Sequence, residues 1–312
     1  MTLAKRIGKY PVIREVAHGA VGTVFEGFDP DTGGKVAIKV LRAEHLPDHA
    51  ADSAGARFQR EADATRRLRH PNIVTVFEYG EQGRIRFIAM EFLKGRELRQ
   101  VLRERGRLAL DEAVSVMVQL LDALGHSHRQ GVVHRDIKPS NVMVLDDELR
   151  IKVLDFGIAR IESAAYTQLG SMLGTPTYMS PEQIRGEPAD GRADLWAAGV
   201  VLYEMLVGRP PFTATTGGAM DLLRNVGLQE PAPVSSLNAS LPASLDDVLR
   251  RALAKKRDDR FQDAGAFGDA LVHAVAAAEP GVDLEVADST PVDLDLSAAP
   301  PLPQAPSPGE PR

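Results

Sequence analysis

Asp136, Lys138 and Asn141 fall within six positions of one another, and Asp155 follows fourteen residues later. A carboxylate at 136 can accept the proton of an attacking hydroxyl. Lys138 can offset negative charge that builds on a transferring phosphoryl group. Val142-Met143-Val144-Leu145 and Ile151-Lys152-Val153-Leu154 read as short strands, with Asp146-Asp147-Glu148 as the turn between them. Closing them as an antiparallel hairpin with Val142 opposite Leu154 sets Asn141 opposite Asp155, about 5 Å away. Two hard oxygen ligands side by side suit Mg²⁺ bound to a phosphate. Taken singly, Asn141 and Asp155 read equally well as polar residues at strand ends. Their coincidence with Asp136 and Lys138 gives the group its chemical sense.

The elements around these residues divide the chain. Gly22–Gly27 and Val36–Leu41 are strand-like, and Asp29-Pro30-Asp31-Thr32-Gly33-Gly34 between them reads as a hairpin turn. A polar helix is predicted over 51–69, stopped by His70-Pro71, with further strands over 73–79 and 85–92. After Gly95 the pattern becomes helical. Asp111 is the predicted N-cap of a helix carrying Ala113, Met117, Leu120, Leu121 and Leu124 at helical spacing. Leu195–Val207 is apolar nearly all round, which suits a helix buried at the centre of a large lobe.

Seven of the 43 acidic residues, one of the 37 basic ones and eight of the 21 prolines lie in 279–312. That segment reads as a disordered tail, its prolines a linker or a ligand for a proline-reading domain. The 36 acidic and 36 basic residues left over give 1–278 no net field for nucleic acid. With no cysteine there is no disulfide or thiolate chemistry. No secretory h-region and no stretch long enough to span a bilayer is visible, so a soluble cytoplasmic protein is the default expectation.

The block H-R-D-x-K-x-x-N at His134–Asn141, followed by Asp155-Phe156-Gly157, resembles the protein kinase signature. Four further stretches add to the resemblance. Gly19-Ala20-Val21-Gly22-Thr23-Val24 is similar to the glycine-rich loop, with Ala17 where the family has its first glycine. Val36-Ala37-Ile38-Lys39 is similar to the third-strand lysine motif. Glu61 matches the family's helix glutamate by register, and Gly174–Glu182 resembles the end of an activation segment, with Ser180 in place of the usual alanine. The resemblance covers roughly 8–275; Lys138 two residues after Asp136 resembles the serine/threonine subgroup, and the compact spacing with Tyr178-Met179-Ser180-Pro181-Glu182-Gln183 looks like its bacterial members.

The resemblance implies an α+β, two-lobed protein kinase fold over 1–278. A small antiparallel sheet with one helix would occupy about 8–93, and a larger helical lobe about 94–278. It implies catalytic roles for Asp136, Lys138, Lys39 and Glu61, the last holding Lys39. ATP would lie against Val16, Gly19, Gly22, Val24, Ala37, Lys39, Met90, Glu91 and Leu93, with Mg²⁺ or Mn²⁺ on Asn141 and Asp155. Arg135 would receive a phosphate on the activation segment, with autophosphorylation expected at Thr167 or Ser171. Thr175, Glu182, Asp194 and Arg260 would be structural, Glu182 pairing with Arg260. The implied activity is phosphoryl transfer from ATP to Ser/Thr hydroxyls of proteins, the chain itself included. The alternatives are a pseudokinase scaffold, suggested by Ala17, and a small-molecule phosphotransferase of related fold.

Overall fold

The computed structural model describes residues 6–18, 22–41, 64–83, 85–145, 148–156, 176–214 and 218–277. The expected tail lies outside them, as does most of the helix expected over 51–69, of which 64–67 is described as helical.

The N-terminal part is a six-stranded antiparallel sheet in the order β1-β2-β3-β4-β6-β5. Its strands are β1 (Arg6–Ile7), β2 (Tyr10–His18), β3 (Gly22–Phe28), β4 (Lys35–Leu41), β5 (Val76–Gln82) and β6 (Ile85–Glu91). The β3–β4 turn is built by Asp29, whose Oδ1 accepts the Asp31 amide while its carbonyl accepts the Gly33 amide. Gly33 takes φ +73° to close it. Strand alternation then sorts β4 between two small cores. Val36 and Ile38 pack with Ile7, Tyr10, Phe87 and Ala89, whereas Ala37 packs with Val76, Ile88, Met90, Leu93 and Leu154.

The strand expected over 73–79 begins later, at Val76. Residues 72–74 instead bond to a three-stranded sheet made of β7 (Arg96–Glu97), β8 (Val142–Val144) and β9 (Ile151–Val153). The Val153 amide donates to the Asn72 carbonyl (2.8 Å), and the Val74 amide donates to the Val153 carbonyl (3.0 Å).

The remainder is helical: α1 (Leu98–Arg105), α2 (Leu110–Arg129), α3 (Pro181–Ile184), α4 (Gly191–Val207), α5 (Ala219–Leu228), α6 (Val234–Leu237), α7 (Ser244–Ala252) and α8 (Ala264–Ala276). α2 starts at Leu110, not after Asp111. Ala109 stands at the N-cap, and the Glu112 carboxylate accepts the Ala109 amide (2.9 Å). The acid three residues on supplies the cap, and Asp111 falls in the first turn, where its charge favours the helix dipole. α4 is buried along most of its length in the main core, and Gly208 ends it at φ +83°.

Two charged side chains are sealed into this lobe. Arg260 and Glu182 are 1% and 2% exposed. Arg260 Nη1 and Nη2 donate to Glu182 Oε1 and Oε2 at 2.7 and 2.8 Å. Arg260 also donates to the carbonyls of Ala254 and Lys255 and lies over the Trp196 ring. Burial pushes the Glu182 carboxyl up, but the Arg260 hydrogen bonds and charge outweigh it and hold the group below its ordinary 4.5. Removing one partner strands the other, so Arg260→Met is expected to cost about 3–5 kcal/mol in urea denaturation at neutral pH. A carboxyl depressed on folding stabilises above its unfolded pKa and loses that contribution as pH falls. The gap between wild type and Arg260→Met should therefore narrow below pH 4.5; a gap that widens in acid would contradict this account.

Candidate active site

The loop 134–141 is fastened to α4 by one carboxylate. Asp194 is 1% exposed and lies in the first turn of α4. Its Oδ2 accepts the His134 amide (2.8 Å) and pairs with His128 Nε2 (2.8 Å), and its Oδ1 accepts the Arg135 amide (2.7 Å). Arg135 sits at φ +69°, in left-handed space that costs a non-glycine residue roughly 1–2 kcal/mol. The bonds to Asp194 offset that strain.

His134 is fully buried and edge-on to the Phe156 ring at 4.6 Å. Its Nε2 lies 2.6 Å from the Leu154 carbonyl, and its Nδ1 accepts the Asp136 amide (3.2 Å). A carbonyl only accepts and an amide only donates, so the ring proton is on Nε2. The imidazole thereby joins the backbone before Asp136 to the backbone before Asp155.

Asp136, Lys138 and Asn141 are in direct contact. Asp136 Oδ2 accepts from Lys138 Nζ (2.7 Å) and from Asn141 Nδ2 (3.0 Å), and Asn141 Nδ2 also donates to the Asp136 carbonyl (2.7 Å). The Asp136 side chain is 43% exposed, so an incoming hydroxyl can reach it. With Nδ2 committed to Asp136, the oxygen Asn141 can offer a cation is Oδ1.

The hairpin carrying Asn141 towards Asp155 is slipped by one residue from the expected register. Val142 faces Val153, Met143 faces Lys152 and Val144 faces Ile151. The Leu154 amide donates to the Asn141 carbonyl (2.8 Å), so Leu154, not Asp155, lies opposite Asn141. The reason is burial. This register pairs buried Val142 and Val144 with buried Val153 and Ile151, whereas the other would set Lys152 opposite Val144. Asp155 turns away from the strand at φ +61° and accepts from Lys39 Nζ (2.6 Å).

Lys39 comes from β4 and is 9% exposed. Val24 and Ile88 are opposite it, and Met90 is opposite Ala37, so all five side chains occupy one face of the sheet. Met90 is buried and Leu93 half-buried beside the same cluster, while Val16 is exposed on β2. Gly22 is needed for a close backbone approach, since a Cβ there would meet the Val40 carbonyl oxygen at 2.0 Å. The Glu91 side chain is committed to the fold: Oε1 accepts the Thr75 amide (2.7 Å) and Lys152 Nζ (2.6 Å). Gly19, Glu61, Thr167, Ser171 and Thr175 lie outside the described residues.

Among the described residues no group of three acids or histidines is placed to hold a metal ion. Asn141 Oδ1 and the Asp155 carboxylate are hard oxygen donors, of the type that suits a cation which draws its other ligands from phosphate and water. No helix among the described residues is long and apolar enough to cross a membrane.

Gln183, His128 and Lys152 do structural work at this site that sequence reasoning passed over. A signal existed for Gln183: Ser180-x-x-Gln183 is a capping-box pattern.

Residues 10–272 match the family described as protein kinase domain. Over 83% of its length the chain is 39% identical to the probable serine/threonine-protein kinase PknB of Bifidobacterium longum, and covers 39% of that protein. It is 36% identical to the serine/threonine-protein kinase PrkC of Bacillus subtilis, over 85% of this chain and 40% of the relative. Its identity to the serine/threonine-protein kinase Pkn1 of Myxococcus xanthus is 39%, over 98% and 44%. The chain thus spans less than half the length of these relatives. A solved structure of Rad53 residues 1–466 in complex with AMP-PNP superposes with a TM-score of 0.68 at 26% identity, over 84% of this chain and 64% of that one.

Truncating Asp194 to alanine strands the buried His134 amide and the part-buried Arg135 amide, and each such donor costs about 1–3 kcal/mol. Asp194→Ala is expected to lower stability by about 3 kcal/mol and to speed hydrogen exchange at both amides. Unchanged exchange at 134 and 135 would remove Asp194 from this role.

Proposed function

The chain belongs to the protein kinase family, and from that premise we propose that it transfers the γ-phosphoryl group of ATP to serine and threonine hydroxyls of proteins. The observation that carries this reading is the contact set of Asp136, Lys138 and Asn141, with Lys39 and Asp155 meeting beside it. Asp136 accepts the hydroxyl proton as the substrate oxygen bonds to the γ-phosphorus and the bond to ADP breaks. Lys138, hydrogen-bonded to the same carboxylate, offsets charge on the phosphoryl oxygens. Lys39 serves the α- and β-phosphates from the face it shares with Ala37 and Met90, where the adenine would lie. Gly19, Gly22, Val24, Leu93 and Val16 would complete that nucleotide site. Asn141 Oδ1 and Asp155 would hold Mg²⁺ or Mn²⁺, which when bound neutralises phosphate charge. Glu61 is proposed as the partner of Lys39, and Thr175 as a contact of Asp136 and Lys138.

Arg135 is proposed to receive a phosphate on Thr167 or Ser171 after autophosphorylation. The scaffold alternative rested on Ala17. That residue lies in β2 opposite Val24 and contributes no catalytic group, so its side chain weighs little against a complete acid, lysine and asparagine set. The test is labelled-ATP transfer with Mg²⁺ and a generic protein acceptor. Asp136→Asn is expected to fall by at least about 100-fold. Equal transfer by wild type and variant would sink the assignment. Mass spectrometry of wild type after incubation with Mg-ATP should find phosphate on 158–175; an unmodified segment in active enzyme would remove the autophosphorylation proposal.

A further inference from the structure

Arg135 is gripped from two sides. Its amide is held by Asp194, and its carbonyl accepts from Gln183 Nε2 at 2.9 Å. Gln183 belongs to α3, the short turn after Ser180, far from the loop in sequence. Its other amide atom is fixed as well: Oε1 accepts the Ser180 amide (3.0 Å) and the Ser180 hydroxyl (3.1 Å). Ser180 is fully buried, and its Oγ also accepts the Gln183 amide (3.4 Å). The next-door Glu182 is anchored by Arg260, so the turn presenting Gln183 is tied to the lobe core. A side-chain amide with both ends engaged has little rotamer freedom left, and it spans from the segment before α3 to the residue preceding Asp136.

We propose that Gln183 is a positioning residue for phosphoryl transfer. It holds the Arg135 carbonyl so that Asp136 stays directed at the acceptor hydroxyl, and it ties the placement of the Ser180 turn to the placement of the loop. This rests on the kinase reading above. Ser180 is the second half of the device: where the family's usual alanine would offer Gln183 only a backbone amide, the serine hydroxyl adds a second donor and an acceptor. Gln183 touches neither substrate nor phosphate and acts through Arg135.

The test uses the full chain with Mg-ATP and a generic protein acceptor. Gln183→Leu removes both ends of the bridge. It is expected to lower kcat about tenfold, the worth of the hydrogen bond to the Arg135 carbonyl, with KM for ATP unchanged because Lys39 and the apolar face are untouched. Gln183→Glu separates positioning from packing. Its carboxyl keeps oxygens for Ser180, but when ionised it repels the Arg135 carbonyl and when protonated it can donate to it. Gln183→Glu is therefore expected to lower kcat at neutral pH as well, again with KM for ATP unchanged. Wild-type kcat in Gln183→Leu or in Gln183→Glu overturns the proposal. If the wild type transfers no phosphate, the kinase reading fails by itself. Hydrogen exchange then decides this inference: faster exchange at Arg135 and Asp136 in Gln183→Leu supports it, and unchanged exchange overturns it.

Discussion

The site depends on one carboxylate buried in an apolar helix. α4 offers the lobe almost nothing but apolar surface, and Asp194 is an ionisable side chain buried near its start. Taking a carboxylate out of water costs several kcal/mol unless its oxygens are filled. Here they are filled by two consecutive backbone amides and an imidazole. Two neighbouring amides can converge on one carboxylate only if the chain turns sharply between them, and Arg135 at φ +69° makes that turn. The strain at Arg135 and the burial of Asp194 are each costly alone, and the hydrogen bonds between the loop and the carboxylate offset both. This buried helix thus sets the direction in which the chain leaves Arg135, and so the place of Asp136.

A second constraint governs how the sheet meets the helices. β9 is the shared element. Residues 72–74, between the sheet's helical segment and β5, bond to its backbone, and Lys152 on β9 donates to Glu91 at the end of β6. The residue two past β9 is Asp155, reached from β4 by Lys39. His134 closes the circuit by bonding the Leu154 carbonyl. The groups that would handle phosphate therefore come from both layers, yet each is fixed to the same short hairpin.

The contact of Asp136, Lys138 and Asn141 was readable in the sequence, and much of the surrounding geometry was not. Asp136, Lys138 and Asn141 are close in sequence, so their contact follows from a short loop. The β8–β9 register could not be read from the turn alone. Treating Asp146–Glu148 as the turn favoured pairing Val142 with Leu154, whereas the burial of Val144 and Ile151 settles the ladder one residue over. Leu149 adopts φ +56°, a conformation its residue type does not announce. The start of α2 shows the same limit: Asp111 is the conventional capping type, but Glu112 reaches back to Ala109 and moves the boundary. Contacts such as Gln183 to Arg135 join residues 48 apart, and only the packing of α3 against the loop brings them together.

Carboxylates of like chemistry are assigned different work here by burial alone. Glu182 and Asp194 are sealed, and every oxygen is matched to donors, which leaves no approach for a substrate. Asp136 has equally good partners in Lys138 and Asn141, but both reach the same oxygen, Oδ2. The side chain is 43% exposed where that of Asp194 is 0% exposed. Under the proposed function Asp136 would take up a proton, which needs an approach for the donor and a fixed orientation, and two bonds on one oxygen supply the orientation without closing the approach. Asp155 stands between these cases, 24% exposed and paired with Lys39. The division of labour among these acids follows from where the fold leaves water, not from the residue types themselves.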